Sequence, residues 1–128
     1  MNTPPSSADK VSIVLFSGTT DKLMAASVIA SGAAAMQKQV TIFLTFWGLM
    51  AFRKGAKEQP PRISTDFADF ADAAMQAMQA KKVPHWLDTL RDAMDLGEVK
   101  VKACGLTVDL LGTVPVEGAT RFICRKTH

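Results

Sequence analysis

Apolar runs alternate with amphipathic segments along this chain, a pattern typical of strands joined by helices. Residues 11–16 form an apolar run that ends at a Ser-Gly pair, and residues 40–47 form a second run that ends at Gly48. Between them, cap candidates at 19–21 and a stretch of small residues predict a helix that continues to about Gln37. A strand, a helix and a second strand in this order predict a right-handed parallel crossover unit.

The second half of the chain repeats this alternation after a basic, proline-containing loop at residues 53–62. A helix is predicted from Asp66, with apolar residues at positions 67, 70, 71, 74 and 78, and another from Pro84 to Gly97. The alternating valines and lysines of residues 99–104 predict a strand with one solvated face, nearer the edge of a sheet than its centre.

The last segments leave two interpretations open. Residues 105–112 are helix-like, and residues 114–116 could form a short last strand. Residues 119–126 fit either a strand or a terminal helix. The expected fold is α/β: a three-layer sandwich with a mostly parallel sheet of four to five strands and helices on both faces. We expect a flexible N-terminal tail at residues 1–9 and a single domain at residues 10–128.

Composition narrows the functional classes. The 128 residues carry a net charge of only +3, with no basic stripe interleaved with aromatics, which argues against a nucleic-acid partner but suits small anions. Two cysteines are too few for a disulfide scaffold. The N-terminus lacks the pattern of a signal peptide, and each apolar stretch falls short of the ~18 residues that span a bilayer. We therefore expect a cytoplasmic protein with no membrane span.

Cys104 lies where a β-like stretch ends and a helix-like stretch begins. Backbone N–H groups at a helix N-terminus favour negative charge, so a cysteine at this position tends toward the nucleophilic thiolate. The alternative is that Cys104 is simply a small hydrophobic residue of the core.

In open parallel sheets, ligands bind beyond the carboxyl ends of the strands. Three such ends would converge into one cleft for a small anion beside the thiol. The catalytic candidate is Cys104; the substrate-binding candidates are Ser17, Gly18, Trp47, Gly48, Gly105 and Arg53; and Cys124 is a possible resolving thiol. For each there is a plainer interpretation, as packing residue, turn or solvated loop.

Several familiar sites are not indicated by the sequence. There is no Cys-x-x-Cys motif, and the threonine of a peroxiredoxin-type Thr-x-x-Cys is replaced by Val101. The two histidines and two cysteines lack the spacing of metal ligands, so we expect no metal and no cofactor.

Three segments together resemble the DsrE/DsrF-like family of sulfur-trafficking proteins, in particular its small single-domain members. They are KVSIVLFSG at 10–18, TFWGL at 45–49 with Arg53 and Lys54, and ACGLTVDLLG at 103–112. The resemblance implies an α/β sandwich that assembles into homo- or hetero-oligomers. It implies that sulfane sulfur is carried as a persulfide or thiosulfonate on the cysteine matching Cys104. It also implies exchange with partners such as TusA-like carriers and rhodaneses.

The sequence thus leads us to expect a sulfur carrier or sulfurtransferase component, loaded on Cys104 from a donor such as thiosulfate, rather than a multi-turnover enzyme. Two alternatives stay open. One is a non-enzymatic interaction or small-anion-binding module in which Cys104 is inert. The other is a thiol-disulfide or peroxide reductase that uses Cys104 with Cys124.

Overall fold

The computed structural model describes residues 9–112 and 120–122. The expectations for residues 1–8 of the N-terminal tail, for a strand at 114–116 and for Cys124 lie outside this part of the chain. So does the choice between strand and helix at 119–126, apart from residues 120–122, which form a strand.

Three six-residue strands form the body of a parallel sheet, and a three-residue strand pairs at its side. The strands are β1 (Lys10–Leu15), β2 (Gln39–Leu44), β3 (Val99–Cys104) and β4 (Thr120–Phe122), in the order β1-β2-β3-β4. The α/β class and the parallel sheet are confirmed. The count of four to five strands depends on β4, whose neighbours in sequence lie outside the described residues, and it stays a prediction.

Helices occupy the connections between the strands. They are α1 (Thr20–Ala35), α2 (Trp47–Ala51), α3 (Ala71–Ala80), α4 (Trp86–Leu96) and α5 (Gly105–Leu111). Short 3-10 helices cover Ala56–Glu58 and Thr65–Phe70, and the second leads directly into α3.

The hydrophobic core lies on one face of the sheet. Alternate side chains of β2 and β3, from Val40 to Leu44 and from Val99 to Ala103, are buried in one cluster with α1 and α4. Alanines on the inner side of α1, including Ala26, Ala30 and Ala33, are buried in it too. Their small side chains let two helices share this face at close range.

The opposite face of the sheet is much more open. Val14 is 70% exposed, Lys100 is exposed, and Phe43 and Lys102 are half-buried. Among the described residues, the buried core includes residues of α1 and α4, with Leu49 of α2 and Val108 of α5. A second helical layer, over the open face of the sheet, stays a prediction.

The prediction that residues 99–104 form an edge strand is wrong. β3 pairs with β2 on one side and with β4 on the other. Its alternation of valine and lysine has a different cause: the lysines lie on the open face of the sheet, where a central strand is also solvated.

The second predicted strand also ends earlier than its apolar run. β2 stops at Leu44, and Trp47, expected as its last residue, begins α2 instead. Between them, Phe46 has φ 49° and ψ −117°, a backbone conformation that side chains disfavour and that turns the chain sharply. Hydrophobicity does not report this turn because both sides of it are apolar.

We predict that Gly48→Ala lowers the free energy of unfolding by about 2–3 kcal/mol, because an added Cβ would lie 2.0 Å from the Leu15 carbonyl oxygen and force backbone to move. The matched control is Gly32→Ala. An added Cβ there meets nothing within 4 Å, and the substitution replaces a glycine inside α1. That control should gain about 0.5–1 kcal/mol. Urea unfolding of both variants checks the prediction, and equal effects would contradict it.

We also predict that stability falls as the pH drops below about 6.5, through the N-cap of α4. The His85 Nδ1 atom accepts a hydrogen bond from the Leu87 N–H at 3.1 Å, which requires that this nitrogen carry no proton. Burial is the largest cause that holds the pKa of His85 below its ordinary value of 6.5. The charge of Asp88 raises this pKa, and the charges of Lys57 and Arg91 lower it further.

The unfolded chain therefore binds this proton more readily than the folded chain does. The contribution of the cap to stability is complete above the pKa of His85 in the unfolded chain, and it is lost as the pH falls from there through the lower pKa in the folded chain. Unfolding measured between about pH 8 and pH 5.5 should show the decline. The variant His85→Asn keeps a capping acceptor that does not titrate and should flatten the curve over this range. An unchanged slope in that variant would refute the assignment.

Candidate functional site

The carboxyl ends of β1, β2 and β3 form one row at the edge of the sheet. Leu15, Leu44 and Ala103 are aligned across the three strands, so the next residues in each chain segment are Phe16, Thr45 and Cys104. Neighbouring strands lie about 4.8 Å apart. Cys104 is therefore one strand away from Thr45 and two from Phe16.

The ends of β1 and β2 are held together by backbone contacts. The Thr45 N–H donates to the Leu15 carbonyl at 3.2 Å, and the Gly48 N–H donates to the Phe16 carbonyl at 3.0 Å. A Cβ on Gly18 would lie 2.5 Å from the Trp47 carbonyl oxygen. The structure thus brings the Ser-Gly and Trp-Gly pairs against each other, and close backbone packing explains both glycines without a ligand.

Thr107 joins the start of α5 to the end of β2. Its hydroxyl lies 3.3 Å from the Thr45 hydroxyl and accepts a hydrogen bond from the Phe46 N–H, also at 3.3 Å. The side chain is only 1% exposed. Sequence reasoning missed this residue. The available signal was a lone hydroxyl in an apolar helix start, which when buried needs a hydrogen-bond partner.

Cys104 occupies the N-cap position of α5, with an extended backbone at φ −66° and ψ 117°. It is 5% exposed. Strand alternation places it on the same face as Lys102, which is half-buried, and Gly105 follows it as the buried first residue of α5. The position at a helix start agrees with the sequence; the burial of the sulfur adds a requirement for access.

Three aromatic side chains cluster beside this row. The ring centroids of Phe16 and Phe46 are 5.4 Å apart, and those of Phe46 and Trp47 are 6.3 Å apart in an edge-to-face arrangement. Phe16 and Trp47 are both more than half exposed. Exposed aromatic side chains that contact one another are typical of surfaces that bind a partner. We call Phe16, Phe46 and Trp47 the aromatic cluster.

Ser17 and Arg53 make local contacts. The Ser17 hydroxyl lies 3.1 Å from the Thr19 hydroxyl and accepts from the Thr19 N–H at 3.3 Å, which shapes the turn before α1. The Arg53 guanidinium donates to the Met50 carbonyl at 3.0 Å and to the Gln59 side chain at 3.2 Å. These bonds tie the end of α2 to the loop that follows, and they are not contacts with the strand ends.

Two further properties bear on the site. Residues 9–112 and 120–122 contain no group of three or more His, Cys, Asp or Glu side chains placed to hold a metal ion. Over the same residues, no helix combines the length and the apolar character needed to cross a bilayer.

Comparison with known proteins gives a relative whose function is not described. Over 45 residues the chain is 62% identical to the uncharacterized protein YrkE of Bacillus subtilis strain 168. The aligned segment is 35% of this chain and 28% of that protein, so the chain spans well under two thirds of this relative.

A family-level match is also found. The sequence pattern of the DsrE/DsrF/DrsH-like family matches residues 7–66. This segment contains β1, α1, β2 and α2, with the Ser-Gly and Trp-Gly pairs, and it ends before Cys104. This confirms the resemblance drawn from the KVSIVLFSG and TFWGL segments. Residues 7–66, just under half of the chain, are therefore similar to the DsrE/DsrF/DrsH-like family.

Proposed function

We propose that this protein is a sulfur carrier or sulfurtransferase component that accepts sulfane sulfur on Cys104 and passes it to a partner thiol. The observation that carries the proposal is the place of Cys104, at the carboxyl end of β3, at the N-cap of α5 and next to Thr45 in the row of strand ends. The match of residues 7–66 to the DsrE/DsrF/DrsH-like family supports a role in sulfur relay at the coarser level.

The proposed chemistry needs no cofactor. The Cys104 thiolate attacks the outer sulfur of thiosulfate; a new S–S bond forms, the S–S bond of thiosulfate breaks, and sulfite leaves with its electron pair. The persulfide on Cys104 is then attacked at its outer sulfur by a partner thiolate. That sulfur moves to the partner, and Cys104 returns to the thiolate. Neither step requires an outside oxidant or reductant, and neither requires a proton to be delivered by a neighbouring side chain.

Burial of the sulfur gives the partner a part in the mechanism. A thiol that is 5% exposed is attacked only when the structure around it opens. The aromatic cluster lies on the same edge of the sheet and offers exposed apolar surface for docking. We propose that a cytoplasmic partner, such as a TusA-like carrier or a rhodanese, docks on this cluster and opens the way to Cys104.

The burial of Cys104 and the exposure of the aromatic cluster also favour a second candidate, an interaction module in which Cys104 is an inert core residue. A buried thiol behaves as a small hydrophobic side chain, and an exposed aromatic cluster can bind a partner without any sulfur chemistry. The two candidates differ in one measurable property, the reactivity of Cys104 in the folded protein.

We predict that the reduced protein gains one sulfur atom, or a thiosulfonate group, when incubated with thiosulfate, tetrathionate or polysulfide, as measured by intact mass. The adduct should vanish in Cys104→Ala and persist in the matched control Cys124→Ala. Cys104→Ala that is folded by circular dichroism yet still carries the adduct would contradict the assignment. No adduct on the wild type with any small donor, either alone or with a TusA-like carrier or a rhodanese present, would favour the interaction module.

We predict that Thr107→Val destabilises the protein by about 1–3 kcal/mol, because it leaves the partly buried Phe46 N–H without its acceptor. It should also speed the alkylation of Cys104, since α5 would no longer be tied to the end of β2. The conservative Thr107→Ser keeps the hydroxyl and should restore the slow rate. Alkylation is measured in a Cys124→Ser background, so that one thiol is counted; equal rates in both variants would contradict the role of this hydroxyl.

A further inference from the structure

An apolar groove lies on the side of the molecule away from the sheet. It has a volume of about 730 Å³ and runs between the outer face of α1 and residues 65–80, which comprise the 3-10 helix and α3. We call residues 65–80 the arm. The side chains that line the groove are mostly apolar and include Met24, Val28, Ile29, Phe67, Phe70 and Met78.

The arm is unusually exposed for an ordered segment. Of its sixteen residues, all described by the structure, none is buried, and Phe67 and Phe70 are each 60% exposed. Helices shorter than about 12–15 residues are marginal in water unless one face is packed, and α3 has only ten residues. Two hydrogen bonds hold the chain just before the arm: the Thr20 N–H donates to the Arg62 carbonyl, and the Ser64 N–H donates to the Asp21 carboxylate. Burial of its apolar side would therefore stabilise the arm.

The charges along the arm indicate what covers it. Asp66, Asp69 and Asp72 lie in its first half, and Lys81 and Lys82 follow directly after its last residue. Two arms that lie antiparallel place the acidic half of one copy beside the basic end of the other, twice. Two parallel arms would place like charges together at both ends, which is unfavourable.

We propose that a second copy of this chain occupies the groove, with the two arms antiparallel about a twofold axis. Such an isologous contact uses the same surface of both copies. It also brings Phe67 and Phe70 of each copy toward Met78 of the other, because the aromatic and methionine residues lie at opposite ends of the arm. Contacts between thioether sulfur and aromatic rings are favourable. Apolar burial supplies the affinity, and the charges select the direction.

The first part of the test is the mass of the full-length protein in solution, measured by analytical ultracentrifugation over a range of concentrations. The wild type should be dimeric, and Phe70→Asp should shift it to monomer. The matched control is Leu96→Asp, since Leu96 is 62% exposed and lies outside the groove. A monomeric wild type, or a dimer that is unaffected by Phe70→Asp, would overturn the proposal and point to a different occupant such as an apolar ligand or another protein.

The second part tests the direction of the arms by charge reversal. Asp66→Lys with Asp69→Lys makes the arm basic at both ends, and Lys81→Glu with Lys82→Glu makes it acidic at both ends; each variant alone should be monomeric. An equimolar mixture of the two should form the dimer again, since opposite charges then meet in either direction. The chain that carries all four substitutions should also form it, and there opposite charges meet only when the arms are antiparallel. Recovery in the mixture cannot come from a misfolded arm. Failure of both recoveries would contradict the antiparallel contact, while leaving sulfur loading on Cys104 untouched.

Discussion

The meeting of the ends of β1 and β2 is the constraint on which the candidate site depends. Gly48 lies so close to the Leu15 carbonyl that a Cβ has no room, and the chain reaches this position only through the sharp turn at Phe46. A non-glycine residue in such a backbone conformation costs on the order of 1–3 kcal/mol, which the surrounding contacts must offset. The turn starts α2 and directs Trp47 outward, and the Phe46 N–H donates to Thr107.

Sequence alone predicts most of the elements because their hydrophobic periods are strong. Residues 99–104 and the helix before them were predicted within two residues of their observed bounds. The failures have physical causes. An apolar run does not reveal the turn at Phe46, and the alternation in β3 reports which face of the sheet is open rather than where the strand lies within it.

The sequence predicts where the candidate residues lie in the fold, but not the contacts that they make. Because ligands bind beyond the carboxyl ends of parallel strands, the sequence predicts Cys104, Trp47 and Gly18 at one edge of the sheet, and the structure places them there. The packing role of the glycines and the buried hydroxyl of Thr107 depend on contacts between residues about sixty positions apart, which no local pattern encodes. For the same reason Arg53, a plausible anion ligand in sequence, proves to hold its own loop.

In the proposed function, the burial of Cys104 protects the sulfur and the exposed aromatic cluster receives the partner that opens the way to it. A carrier differs from an inert core thiol in one respect: it must give the sulfur away. The most direct measurement is therefore transfer. The protein is loaded with isotopically labelled sulfane sulfur, desalted and mixed with a thiol-bearing acceptor protein, and both intact masses are followed. The proposed function predicts that the label leaves Cys104 and appears on the acceptor; a label that never loads, or loads and stays, would contradict it.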